Sequence, residues 1–174
     1  LKKINNKNIY INFPRRYCEW HNKIRNKMIE LVKNNVFKIN ISGGKIGLAC
    51  NTSHYIDMVY FWTNKLPKKI DTSNLDIWHE SKRKGFYDLN GKLEINFNDN
   101  HKLNIISYDN SQDEIIEIFD SDNNFIGLID NYNGIANFYD GEKIQGKTKL
   151  QSESTNILFQ QIKSDDTHIC KLDI

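Results

Sequence analysis

The chain has 174 residues, of which 39% are hydrophobic and 11% aromatic; this is enough apolar mass for one buried core and too much for a chain disordered throughout. No run approaches the roughly 18 apolar residues of a bilayer-spanning helix, and the start LKKINNKNIYINF has no apolar signal-peptide core, so a soluble, cytoplasmic, single-domain protein over residues 1–174 is expected. The formal net charge of +2 conceals +10 over residues 1–91 (17 Lys+Arg against 7 Asp+Glu) and −8 over 92–174 (7 against 15), which excludes a uniformly charged surface and predicts either partners of opposite sign or two halves that partly neutralise each other.

Pro14 suits a helix start. After it, Tyr17, Trp20, Ile24, Met28, Leu31 and Val32 recur at steps of three and four, the stripe of an amphipathic helix ending near Asn34-Asn35. The other face carries Arg15, Arg16, Lys23, Arg25, Lys27 and Lys33 and is a candidate phosphate-contacting surface. VFKINISGGKIGLAC, with Phe37, Ile39 and Ile41 alternating and Gly43-Gly44 as a turn, predicts a hairpin. Asn51, Thr52 and Ser53 can cap a helix that places Tyr55, Met58, Val59 and Trp62 on one side. Ser73 with Asp76 three residues on resembles a capping box and predicts a short helix to about Lys84, closed by Gly85.

From Phe86 the pattern changes to short alternating runs: KLEINF, KLNIISY, EIIEIF, FIGLID, GIANFY, NILFQQI and HICKLDI. Asn-Gly, Asp-Gly and Asn/Asp clusters separate them. The expected fold is α+β, with the basic N-terminal helices (1–91) packed on an acidic C-terminal antiparallel meander (92–174) of about seven strands, as a twisted sheet, sandwich or half-open barrel. The polar stretch 140–156 is a mobile loop or conceals one further edge strand.

Two constellations carry candidate chemistry. Cys18-x-x-His21 and His168-x-Cys170 have workable spacings for a tetrahedral zinc, the first pair on a helix and the second on a strand; the plainer alternative is buried cysteines and a core histidine. In DIWHESKRKGFYD, a helix would set Asp76, His79, Glu80 and Arg83 on one side, and with His54 and Tyr55 this is a set that a metal-independent ribonuclease uses for acid-base work on phosphate. Asp120, Asp122 and Asn124 have calcium-loop spacing. Counting from Asp120, however, Phe125 and Asn131 stand where that loop needs glycine and glutamate, so the stretch is read as a turn. Phosphate-binding, nucleophile-elbow and HExxH motifs are absent from the sequence, and no cofactor is expected.

These features favour a non-enzymatic protein-binding module, in concrete form an intracellular inhibitor or immunity-type protein that neutralises a basic toxin or nuclease. Its partner-binding residues would be Asp113, Glu114, Glu117, Asp120, Asp122, Asp130, Tyr132 and Asp140. The alternatives are a ribonuclease or toxin domain acting on nucleic acid, bound through the basic helix 15–33, and an accessory structural module of a viral or phage assembly.

Overall fold

The computed structural model describes residues 9–32, 34–81, 83–164 and 171–172. A short strand, β1 (Ile9–Tyr10), leads through a 3-10 turn at Pro14–Tyr17 into helix α1 (Glu19–Leu31). Trp20, His21, Ile24, Lys27 and Met28 form its buried side at helical spacing. The helix starts later than Pro14 because Cys18 is extended (φ −97°, ψ 114°), and it stops at Val32, which is extended as well.

The predicted hairpin over 37–50 does not form. Strand β2 (Phe37–Gly44) runs instead into helix α2 (Leu48–Thr63). Gly47, at φ 81°, makes the left-handed bend between them, and Asn64, at φ 55°, ends the helix. Strand β3 (Pro67–Leu75) follows, and then β4 (His79–Glu80) and β5 (Tyr87–Asp88). The helix predicted over 73–84 is thus also corrected: Ser73 to Leu75 end a strand, and β4 and β5 pair as a hairpin. Trp78, Phe86 and Tyr87 favour that extended state, and Gly85 at φ 80° turns the chain. Strands β6 (Gly91–Phe97), β7 (Lys102–Tyr108), β8 (Ile115–Asp120), β9 (Phe125–Asp130) and β10 (Ile135–Phe138) fall on the alternating runs. A further edge strand, β11 (Lys143–Gln145), lies within the polar stretch.

NILFQQI, predicted as a strand, belongs to helix α3 (Gln151–Lys163), and β12 (Lys171–Leu172) pairs with β1. Glu153 accepts the Leu150 N–H at 2.7 Å and so starts α3, whose Ser154 and Leu158 are buried. Asn12 donates to the Ser154 and Thr155 hydroxyls at 3.2 and 2.8 Å and ties α3 to the 3-10 turn.

Eight strands form one open sheet in the order β11-β10-β9-β8-β2-β7-β6-β3. Six of its seven neighbouring pairs are antiparallel, but β2 and β7 run parallel. This corrects the antiparallel meander: the sheet is mixed, and the chain does not pass from each strand to its neighbour. Strand β2, from the half expected to be helical, is inserted between β7 and β8. The β7–β8 connection therefore crosses the end of β2. Gly43 and Gly44 make the crossing: a Cβ on Gly44 would lie 2.2 Å from the Asn110 carbonyl oxygen, while the Gly44 N–H donates to the Gln112 carbonyl at 2.8 Å.

Period-two alternation gives the sheet two faces. Phe37, Ile39, Ile41, Leu93, Ile95, Leu103, Ile105, Ile116, Ile118 and Ile129 are buried under α1 and α2, in one core with Trp20, Ile24, Met28, Tyr55, Met58 and Trp62. The opposite face, with Lys38, Asn40, Glu94, Asn104 and Glu117, is half-buried and carries none of the described helices. Ion pairs join the basic and acidic halves: Lys27 Nζ lies 2.7 Å from Asp140 and 2.8 Å from Glu142, Arg15 is 3.9 Å from Glu114, and Lys65 is 2.5 Å from Asp99.

Candidate functional site

The parallel pair β2/β7 ends at Gly44 and Tyr108, and α2 begins just beyond. In sheets of this kind ligands bind outside the carboxyl ends of parallel strands, where the chain must diverge and leave a crevice. Two depressions of about 590 Å³ each open at this edge and share Asn51. Cys50, Asn51, His54 and Tyr55 are spaced by one turn along the start of α2, so one stretch of helix serves both.

The first depression is lined by Arg15, Asn51, His54, Glu114, Asn131 and Tyr132, among others. The Tyr55 hydroxyl donates to Glu114 Oε2 at 2.5 Å, and Asn131 Nδ2 donates to Glu114 Oε1 at 2.9 Å. The Arg15 guanidinium lies 5.0 Å from the Tyr55 ring centroid, over its face. Burial, and then the Glu114 carboxylate, push the Tyr55 phenol well above its ordinary value, so the hydroxyl stays protonated and donating. Burial and the positive Arg15 hold the His54 imidazole below its ordinary value, against the opposing pull of Asp57. A neutral imidazole at neutral pH is a proton acceptor. Phe13 meets its ring edge-on at 5.4 Å. One turn along α2, Asp57 accepts from Arg16 Nε at 3.0 Å and from Nη2 at 2.5 Å; burial raises its carboxyl in spite of that partner.

The second depression contains His79, Glu80 and Arg83, with Cys50, Asn51 and Asp88. His79, Glu80, Arg83 and His54 thus reach the same sheet edge, but not one helix face. His79 and Glu80 are exposed on a strand, Glu80 accepts the Gly85 N–H at 3.2 Å, and His54 lines the neighbouring depression. Asp76 is exposed in the connection before β4. Asp88, unremarked in the sequence, closes the start of α2 by accepting the Ala49 N–H at 3.0 Å.

Of the zinc set, His168 and Cys170 lie outside the described residues. Cys18 contacts the Pro14 carbonyl and the Lys149 N–H, both at 3.4 Å, and His21 lies fully buried between Trp20 and Trp62, with ring centroids at 4.5 and 5.7 Å. Among the described residues no three His, Cys, Asp or Glu side chains gather as a metal site.

The acidic residues do not converge. Asp113, Glu114 and Tyr132 line the first depression, whereas Glu117 lies on the open sheet face. Asp120 accepts the N–H groups of Asp122 and Asn124, with Asp122 in the same turn, at the far end of β8. Asp130 accepts from Asn133, and Asp140 from Lys27. Arg15, Asn51 and Asn131 line this depression, although the sequence pointed to them only for other roles; Asn51, expected as a cap, lies inside α2, whose cap is Gly47. Arg15 was legible only as part of a basic run, and its role depends on a tertiary contact with Tyr55 and Glu114.

No protein-family model matches the chain, and no curated protein matches it significantly. Solved structures do match in fold. The dehydrogenase MviM from Clostridium difficile is 15% identical with a TM-score of 0.55, over 90% of this chain and 54% of that one. A Thermotoga maritima protein assigned as an oxidoreductase is 12% identical with a TM-score of 0.53, over 90% and 53%. A super-repressor mutant of Gal80p from Saccharomyces cerevisiae is 12% identical with a TM-score of 0.52, over 95% and 55%. These findings overturn the toxin-inhibitor or immunity-protein reading, which drew on the acidic half and a supposed antiparallel sheet. The chain spans about half the length of the solved structures it matches, and at these identities it shares with them a fold found in dehydrogenases and oxidoreductases.

Proposed function

We propose that the chain is a substrate-binding lobe of an oxidoreductase, holding a small hydroxyl- or carbonyl-bearing molecule in the first depression against His54. The observation that carries this is the placement of a neutral, half-buried imidazole beside the Tyr55–Glu114–Asn131 network, at the carboxyl edge of the only parallel pair among the described strands. His54 takes a proton from a bound hydroxyl, or returns one to a carbonyl oxygen. Arg15 and the Asn51 amide orient the molecule's other oxygens, and the Glu114 network holds the wall of the site in one geometry.

A dehydrogenase also needs a hydride acceptor, and this chain's residues do not fit a dinucleotide. The sequence has no G-x-G-x-x-G turn, and one parallel pair replaces the successive parallel strand-helix-strand units on which such a cofactor rests. The reading therefore confines this chain to substrate binding and proton transfer.

Titration of isotopically labelled protein with a panel of hydroxy acids, keto acids and polyols tests it. Resonances of His54, Asn131 and Tyr55 are expected to shift first, and His54→Ala to weaken the best binder by about 3- to 10-fold, the value of one net hydrogen bond. If no compound at millimolar concentration shifts these residues, or His54→Ala binds equally well, the assignment fails.

A further inference from the structure

The opposite end of the sheet presents a row of like charges. The strand registers set Lys69 beside Asn96, Asn96 beside Lys102, and Lys102 directly beside Lys38, across the four neighbouring strands β3, β6, β7 and β2. Strands lie roughly 4.8 Å apart, so the row is about 14 Å long. Lys38, Asn96 and Lys102 lie on the face opposite the core, because the alternate residues of their strands (Ile95, Phe97, Leu103, Phe37, Ile39) are buried in it, and the register sets Lys69 beside Asn96 on that side.

Like charges placed directly opposite each other on a sheet destabilise it, and nothing nearby fully neutralises these. Among the described residues Lys38, Lys68, Lys69 and Lys102 have no carboxylate within ion-pair distance; Lys38 donates to the Asn123 side-chain oxygen. Asp99 is engaged by Lys65. One pleat further along the same face, Asp71 and Glu94 flank the β3/β6 end, with Glu94 paired to Lys92, while Asn104 and Asn40 bond each other at 2.8 Å beside the Lys102/Lys38 pair. The surface here is concave. A depression of about 700 Å³ containing Lys65, Lys68, Lys69 and Lys102 meets one of about 240 Å³ containing Lys38, and both include Asn100 and Lys102.

We propose that this groove binds the phosphate backbone of a single-stranded nucleic acid along the line Lys69–Lys102–Lys38. Lysine suits the role because its compact charge neutralises a phosphate without demanding a fixed orientation. Among the described residues that line the groove none is an exposed aromatic platform for stacking bases: Phe97 and Phe37 are both buried. Recognition therefore rests on the charged chain and not on bases. This site is separate from the one at the carboxyl edge and does not depend on its function.

Fluorescence polarisation with a labelled 15-nucleotide oligo-dT, competed by unlabelled polyphosphate, tests the proposal across salt concentrations. Binding is expected at low salt, and each of Lys38→Gln, Lys69→Gln and Lys102→Gln should reduce the slope of log K against log salt by about 0.7. Lys102→Arg, which keeps the charge, should restore it, and Lys163→Gln, at the end of α3 over the Phe159 ring, should change nothing. Displacement by polyphosphate is expected, because the phosphate chain carries the recognition; oligo-dT binding that polyphosphate does not displace would overturn the proposal by showing that sugar or base contacts hold the strand. No binding at 50 mM salt, a slope that Lys38→Gln/Lys102→Gln leaves unaltered, or equal binding of a poly-glutamate peptide would overturn it, the last pointing to an acidic protein partner. The double variant should melt no lower than the wild type at low salt, since it removes a repulsion.

Discussion

As pH falls from about 6.5 toward 3, the protein is expected to lose about 5 kcal/mol of stability through His21 alone, at about 1.4 kcal/mol per pH unit. His21 is fully buried between two indoles, and its imidazole nitrogens have no hydrogen-bond partner among the described residues. Burial, helped by the positive Arg15, lowers it from 6.5 to about 3. The sign follows from proton uptake. The unfolded chain protonates its histidine below about 6.5 while the folded one does not, so the contribution is fully present above 6.5 and is lost as pH falls toward about 3. His54 and His101 are also lowered, mainly by burial, and act in the same direction. Urea unfolding of wild type and His21→Phe at pH 7.5, 5.5 and 4.5 separates the contributions. Phenylalanine keeps a ring between Trp20 and Trp62 and removes the titration, so the variant should show a shallower pH slope. An imidazole resonance of His21 that titrates near 6.5 in the folded protein would refute the expectation.

Gly44→Ala should have an effect of similar rank by a different route. Its Cβ would stand 2.2 Å from the Asn110 oxygen and 2.6 Å from the Gln112 nitrogen, both backbone atoms of the connection that crosses β2. Backbone cannot rotate aside as a side chain can, so the crossing must move, at a cost of about 3 kcal/mol. The same connection carries Glu114, so hydrogen exchange at residues 110–116 should rise and the Tyr55–Glu114 bond should loosen. Ser53→Ala, an exposed change on α2, is the control and should do neither. A Gly44→Ala protein with wild-type melting and exchange would show that the crossing has slack that the geometry does not reveal.

The local code of this chain was largely legible, and its connectivity was not. The runs KLEINF, KLNIISY, EIIEIF and FIGLID fall on β6 to β9, and the Asx turn at Asp120 is the one that its spacing and missing glycine implied. Phe37 to Ile41 also showed their strand period. What the period could not tell is that β2 would pair with residues 64 positions on in β7 and still further on in β8, because a central strand and the first arm of a hairpin alternate in the same way. NILFQQI went wrong for a related reason: its β-forming residues are few, and packing of Ser154 and Leu158 overrode them. At the site, His54, Tyr55, Glu114 and Tyr132 were each visible as residues worth noting. Their assembly needed Arg15, from the 3-10 turn before α1, and Asn131, from the turn between β9 and β10, which are brought together only by tertiary packing.

The insertion of β2 between β7 and β8 has a consequence for the order in which the protein forms during synthesis. Residues 37–44 leave the ribosome before the rest of the eight-stranded sheet, and both neighbours, residues 102–108 and 115–120, follow with at least 57 residues between. Until then an apolar, β-prone segment has no partner, and the two long loops that bring its neighbours to it must be closed before any ladder bond rewards them. The central strand of the finished sheet is therefore the one most dependent on protection while the chain is incomplete, and folding should be limited by its capture.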